Sequence, residues 1–236
     1  MTELHESKYN KILVISPHPY DAELWAGGTI KTFINNDKAV HWVICTDGAK
    51  TSNNPNVKQN ELKQIRHSEQ IQAAEALGTP SLSFLDLRDG ELEDTDSFRK
   101  LIVRQIRKEQ PDLVITSEPY RKNLSWHRDH RITGQVSLDA VYPYGRDHLH
   151  YQDLWENESL EPHNTRAIWF WGTENPDICV NISQTFDDKI TALMSHKTQV
   201  FGKTEQDIRH QITSRADSAS PDVELSESFR EVTFRV

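Results

Sequence analysis

The chain has 236 residues, with 27 Lys and Arg against 36 Asp and Glu, for a formal net charge of −9. That length suits one domain of ordinary size, and so acidic a balance argues against a nucleic-acid partner, which needs clustered Lys and Arg. No apolar run approaches the ~20 residues of a membrane span. The opening MTELHESKYN carries no apolar signal region, and two cysteines, Cys45 and Cys179, are too few for a disulfide framework, so the expected setting is the cytoplasm.

Short apolar runs alternate with helical patterns along the chain. Lys11 to Ser16 is a compact β-branched run that stops at Pro17 and reads as a buried strand. His18-Pro19-Tyr20-Asp21 follows, and Gly27-Gly28 then sits in the next helix. Ala39 to Cys45 reads as a second strand, with a polar loop from Asp47 to Gln59 behind it. Glu61 to Leu77 has apolar or small residues at 62, 65, 73, 74 and 77 and stops at Gly78, as a helix does. Ser81 to Leu87 is a third strand. Asp96 to Lys108 places Phe98, Leu101, Ile102 and Ile106 on one helical stripe before Pro111. Asp112 to Thr116 is a fourth strand and Ala167 to Trp171 a fifth, with an acid-rich loop from His148 to Thr165 between them. Thr213 to Glu227 reads as a surface excursion before a last short strand at Val232 to Phe234. Strands alternating with helices predict a single Rossmann-like α/β domain over residues 1–236, with an open, mostly parallel sheet and helices on both faces.

Two polar clusters fall at strand ends, where an open parallel sheet forms its ligand crevice. After the first strand, His18 and Asp21 can face one point, although a strand-capping His and a helix-capping Asp would look the same. After the fourth, Ser125-Trp126-His127-Arg128-Asp129-His130-Arg131 sets His127 and His130 one helical turn apart, with Asp129 between them. A solvated, charged helix start is the alternative there. If the strand order is 3-2-1-4-5, strands one and four are neighbours and both loops open into one crevice. His18, Asp21 and His130 then supply two imidazoles and a carboxylate with a coordination position left for water, the pattern of a catalytic zinc site. The same donor set also serves non-haem iron oxygenases, but those sites usually sit on a β-barrel.

These residues carry a resemblance to the PIG-L / LmbE-like family of zinc-dependent N-deacetylases. Its H-P-D-D-x-x-x-x-x-G-G-T pattern stands here as His18-Pro19-Tyr20-Asp21 with Gly27-Gly28-Thr29, and its H-x-D-H-R as His127-Arg128-Asp129-His130-Arg131. Arg66-x-x-Glu69, Leu87-x-Asp89-Gly90, Pro111-Asp112, His196-Lys197-Thr198-Gln199 and Glu227-Ser228-Phe229-Arg230 add to the likeness. The resemblance implies Zn2+ held by His18, Asp21 and His130. It implies His127 stabilising the oxyanion or protonating the leaving amine, and Asp129 orienting His127. It also implies an N-acetylated amino sugar as substrate, His196 near the site, Arg66 with Glu69 as a structural pair, and a homo-oligomeric assembly. Arg121, Lys122 and Arg146 would suit a substrate phosphate or carboxylate, and equally a solvated surface.

The chain departs from the pattern at Tyr20, where the family has the Asp that acts as general base. A phenol with an ordinary pKa of about 10 is a poor base at neutral pH, and losing a general base typically lowers the rate on the order of 10²–10⁴. The expectation is therefore a slow deacetylase or, alternatively, a metal-dependent sugar-binding relative. Glu23 or another carboxylate would have to take over, although a helix position three residues past Tyr20 need not face the metal.

Overall fold

The computed structural model describes residues 8–79, 81–123, 125–216 and 225–234. Strands β1 (Lys11–Ser16), β2 (Ala39–Thr46), β3 (Leu82–Leu87), β4 (Leu113–Ser117) and β5 (Ala167–Trp171) pair in parallel. Strands β6 (Ile178–Asn181) and β7 (Ser226–Thr233) extend the sheet antiparallel, giving the order β3-β2-β1-β4-β5-β7-β6. The expected 3-2-1-4-5 core is present, with two strands added at one edge.

Period-2 alternation along β1 feeds two separate cores. Ile12 and Val14 enter the layer under α1 (Asp21–Asn35), α2 (Gln59–Leu77) and α6 (Phe186–Ser195), beside Ala26, Leu77 and Leu193. Leu13 and Ile15 enter the opposite layer under α3 (Asp96–Glu109) and α4 (Arg128–Asp139), beside Phe98, Ile102 and Val136. A strand buried on both faces must be a continuous apolar run, which is why β1 and β4 stand out in the sequence.

The remaining helices are α5 (Gln152–Glu158), α7 (Lys197–Val200) and α8 (Glu205–Ala216). Helix α5 lies inside the stretch expected to be loop. The expected excursion from Thr213 is also shorter than its sequence implied: Thr213 to Ala216 complete α8, β7 starts at Ser226, and residues 217–224 lie outside the described set. The last strand is eight residues long rather than three.

Two glycines permit close approach where the site is built. A Cβ on Gly28 would fall 2.6 Å from Ile182 Cβ, so α1 can lie against the segment after β6 only without one. A Cβ on Gly134 would fall 2.2 Å from the Ser117 carbonyl oxygen, so α4 rests directly on the end of β4.

Candidate active site

Strands β1 and β4 are neighbours, and the loops leaving their carboxyl edges enclose a cavity of about 260 Å³ whose lining includes His18, Tyr20, Asp21, Asp89, His127 and His130. Asp21 opens α1, His127 caps the N-terminus of α4, and His130 follows in its first turn. His18 Nδ1 stands 2.8 Å from Asp21 Oδ2, and His130 Nε2 stands 3.0 Å from the same oxygen. These three side chains can present donor atoms within 4.8 Å of one another. The paired loops therefore meet as the strand order requires.

Asp129 does not do what its position suggested. Its carboxylate lies on His18, with Oδ2 3.0 Å from Nε2, and is held there by the Gly90 and Leu92 amides at 2.6 and 3.2 Å. Toward His127 it offers only its backbone N–H, donated to Nδ1 at 3.2 Å. The reason is geometric: Asp129 is fully buried in the first turn of α4, pointing at the loop after β3, while His127 is exposed at the cap. Asp89 Oδ1 also approaches His18 Nε2, at 3.3 Å.

The site favours positive charge. Burial opposes protonation of His18, yet Asp21, Asp129 and Asp89 around it hold its pKa well above the ordinary imidazole value. Burial likewise opposes ionisation of Asp21, but His130 and His18 hold its carboxyl far below the usual range. His127 behaves oppositely: although its edge is exposed, partial desolvation of the ring and the neighbouring His18 push its pKa down, which favours the neutral ring.

Tyr20 occupies the left-handed region at φ 84° at the N-cap of α1, an uncommon place for a bulky side chain. Its amide donates to Gln70 Oε1 at 3.2 Å, Gln199 Nε2 donates to the Pro19 carbonyl at 3.0 Å, and its ring meets the His196 ring edge-on at 5.5 Å. Glu23 is turned away from the cavity. It is fully buried, accepting from Gln70 Nε2 at 2.6 Å and His196 Nε2 at 2.7 Å, so it cannot replace the missing base. His196 thus backs Tyr20 and Glu23 rather than lining the cavity.

Arg66 and Glu69 do not pair with each other. Arg66 donates to the carbonyls of Gly48 and Thr51 and lines the cavity, while Glu69 accepts from Thr198. Arg146 stacks over Tyr142 and is not among the lining residues. Asp89 received no role from sequence, although an Asp-Gly pair just beyond a parallel strand's carboxyl end is a signal that the topology makes readable.

Residues 13–141, more than half of the chain, match the PIG-L family, described as GlcNAc-PI de-N-acetylase. The chain belongs to the PIG-L family. Among its relatives, this PIG-L protein is 35% identical to diacetylchitobiose deacetylase of Thermococcus kodakarensis over 189 residues, covering 80% of the chain and 70% of the relative. It is 30% identical to the probable N-acetyl-alpha-D-glucosaminyl L-malate deacetylase 2 of Bacillus cereus, covering 80% and 83%. The solved N,N'-diacetylchitobiose deacetylase of Pyrococcus horikoshii superposes with a TM-score of 0.85 at 30% identity, covering 95% of this chain and 84% of that one.

Proposed function

We propose that this N-deacetylase hydrolyses the acetamide of an N-acetylglucosamine-type small molecule with a zinc ion held by His18, Asp21 and His130. The convergence of those three donors at the β1–β4 edge carries the reading. The residues fit the metal: two imidazoles and one carboxylate match zinc's donor preference. Asp129 behind His18 is the outer carboxylate that fixes a ligating imidazole. When bound, zinc supplies Lewis acidity toward the acetamide carbonyl and lowers the pKa of water.

The chain's own residues do the rest. Asp129 accepts the Nε2–H of His18 and so leaves Nδ1 facing Asp21. His127 accepts the Asp129 amide on Nδ1, which places the proton of the neutral ring on Nε2. That N–H donates to the carbonyl oxygen as charge develops there. With Tyr20 at the base position and Glu23 turned away, Asp21 and Asp89 are the carboxylates among the described lining residues. Asp21 would serve as ligand, and Asp89 receives the water's proton and returns it to the nitrogen as the C–N bond breaks, giving acetate and a free amine. Buried free thiols at Cys45 and Cys179 support a cytoplasmic setting, and the continuous seven-stranded sheet supports one domain over 1–236.

The test is metal content together with acetate release from N-acetylglucosamine derivatives. Wild type is expected to bind one zinc and release acetate slowly. Asp89→Asn should retain zinc and lower kcat on the order of 10²–10⁴, Tyr20→Asp should raise kcat, and His130→Ala should lose the metal. The competing reading, a sugar-binding relative without turnover, rests on Tyr20; a silent wild type that gains activity as Tyr20→Asp would establish it.

A further inference from the structure

The two imidazoles of the donor set are held in different ways. His18 has Asp129 and Asp89 at its Nε2, 3.0 and 3.3 Å away, behind the nitrogen that faces Asp21. His130 turns Nε2 toward Asp21, and its buried Nδ1 meets no hydrogen-bonding partner among the described residues. A ligating histidine is ordinarily oriented through its second ring nitrogen. The χ2 torsion of histidine is broad and sets no direction of its own, so packing has to place the His130 ring. The Trp126 indole lies against that ring edge-on at 4.7 Å, closer than the rings of His18 and His127 at 5.4 and 5.8 Å. Three elements fix the indole in turn. Trp25 of α1 meets it edge-on at 5.7 Å. Arg121, from the loop after β4, lies 4.4 Å over its ring and is not among the residues lining the catalytic cavity. Gly172, just past β5, leaves it room, since a Cβ there would fall 2.6 Å from Trp126 Cη2.

We propose that Trp126 is a positioning residue for the metal: its indole stands in for the missing hydrogen-bonding partner behind His130 and holds Nε2 on the point it shares with Asp21. The inference rests on the reading of His18, Asp21 and His130 as zinc ligands. An indole packed from several sides yields little, so the ring pressed against it is confined as well. An edge-on aromatic contact is worth about two- to tenfold in an equilibrium constant. That reaches the lower end of the roughly 10–100-fold in metal affinity that an outer hydrogen bond supplies.

The experiment is competition for zinc between the full chain and a chromophoric chelator at fixed pH, with the melting midpoint of the metal-free protein measured alongside. Trp126→Leu, which keeps apolar bulk without the ring, is expected to weaken zinc binding about tenfold. Trp126→Phe retains an aromatic face and should stay within about threefold of wild type. Arg121→Ala leaves the indole in place but frees it, and should weaken zinc binding about two- to fivefold. Glu231→Gln lowers stability far from the cavity and should leave zinc affinity unchanged, which separates loss of metal from loss of fold. Wild-type zinc affinity in Trp126→Leu, or in Arg121→Ala where Trp126→Leu does not fold, would overturn the inference and leave the zinc ligands standing. So would a loss in Trp126→Phe as large as that in Trp126→Leu. A wild type with no affinity for zinc would overturn the ligand reading and this inference together.

Discussion

Glu23 shows how a side chain behind the cavity can govern one within it. Its carboxylate and the His196 imidazole are both fully enclosed, and Gln70 links them to the strained backbone of Tyr20, donating to Glu23 and accepting the Tyr20 amide. A buried polar pair adds little net stability, but removing one partner strands the other. Glu23→Ala is therefore expected to lose about 3–5 kcal/mol in urea denaturation, whereas Glu23→Gln, which keeps an acceptor for Gln70, should lose clearly less. Equal urea midpoints for wild type and Glu23→Ala would refute this role. Residues of this kind are hard to read from sequence: Glu23 could be seen near the motif, but only the fold shows which way its helix position turns. The convergence of His18, Asp21 and His130 was legible because their loops leave strands that the expected order makes neighbours. The partner of Asp129 was not, because it depends on the path of the loop after β3.

At the scale of elements, the seating of α4 on β4 decides where His130 stands. Gly134 makes that seating possible, since a Cβ there would meet the Ser117 carbonyl at 2.2 Å and the helix itself would have to move. Gly134→Ala should destabilise the fold by about 1–3 kcal/mol. A displacement near 1 Å at His130 can lower turnover on the order of 100-fold, so kcat and zinc affinity should both fall. A variant with wild-type melting and wild-type zinc affinity would count against this account. The parallel strands were readable because burial on both faces demands unbroken apolar runs. Strand β7 was mostly hidden because Ser226, Glu227, Ser228 and Arg230 break that pattern, and its Glu227 is consumed by a buried contact with Lys189 at 2.5 Å. At the far end of β7, Glu231 accepts from Tyr9 Oη at 2.6 Å, Trp169 Nε1 at 3.1 Å and Lys8 Nζ at 3.0 Å. Burial opposes its ionisation, but these hydrogen bonds hold its carboxyl below the usual range. A depressed carboxylate stabilises the fold fully above its unfolded-chain value of about 4.3 and loses that contribution as pH falls through the lower folded value. The stability gap between wild type and Glu231→Gln should thus be widest at neutral pH and close below about pH 4; a gap constant from pH 7 to pH 3 would contradict the assignment.

For the molecule as a whole, the donors belong to elements on opposite sides of the sheet. Asp21 opens α1, which packs into one core, and His130 lies in α4, which packs into the other. A zinc ion between them would tie both layers to the β1–β4 edge, and the unfolded chain offers no such preformed donor set. Linkage then requires that metal binding raise stability by RT ln(1 + [Zn]/Kd), about 2.7 kcal/mol at a hundredfold excess over Kd. For a domain of this size, each kcal/mol shifts the melting midpoint by roughly 2–4 °C, so zinc should raise it by roughly 5–10 °C and a chelator should reverse the change. Asp21→Asn should abolish the shift, and Glu231→Gln, remote from the cavity, should leave it intact. The shift should also fade in acid, because the carboxylates around His18 favour its protonated ring, which must shed a proton to bind metal. A melting midpoint indifferent to zinc in wild type, or a zinc-induced rise that persists in Asp21→Asn, would remove these residues from the metal site.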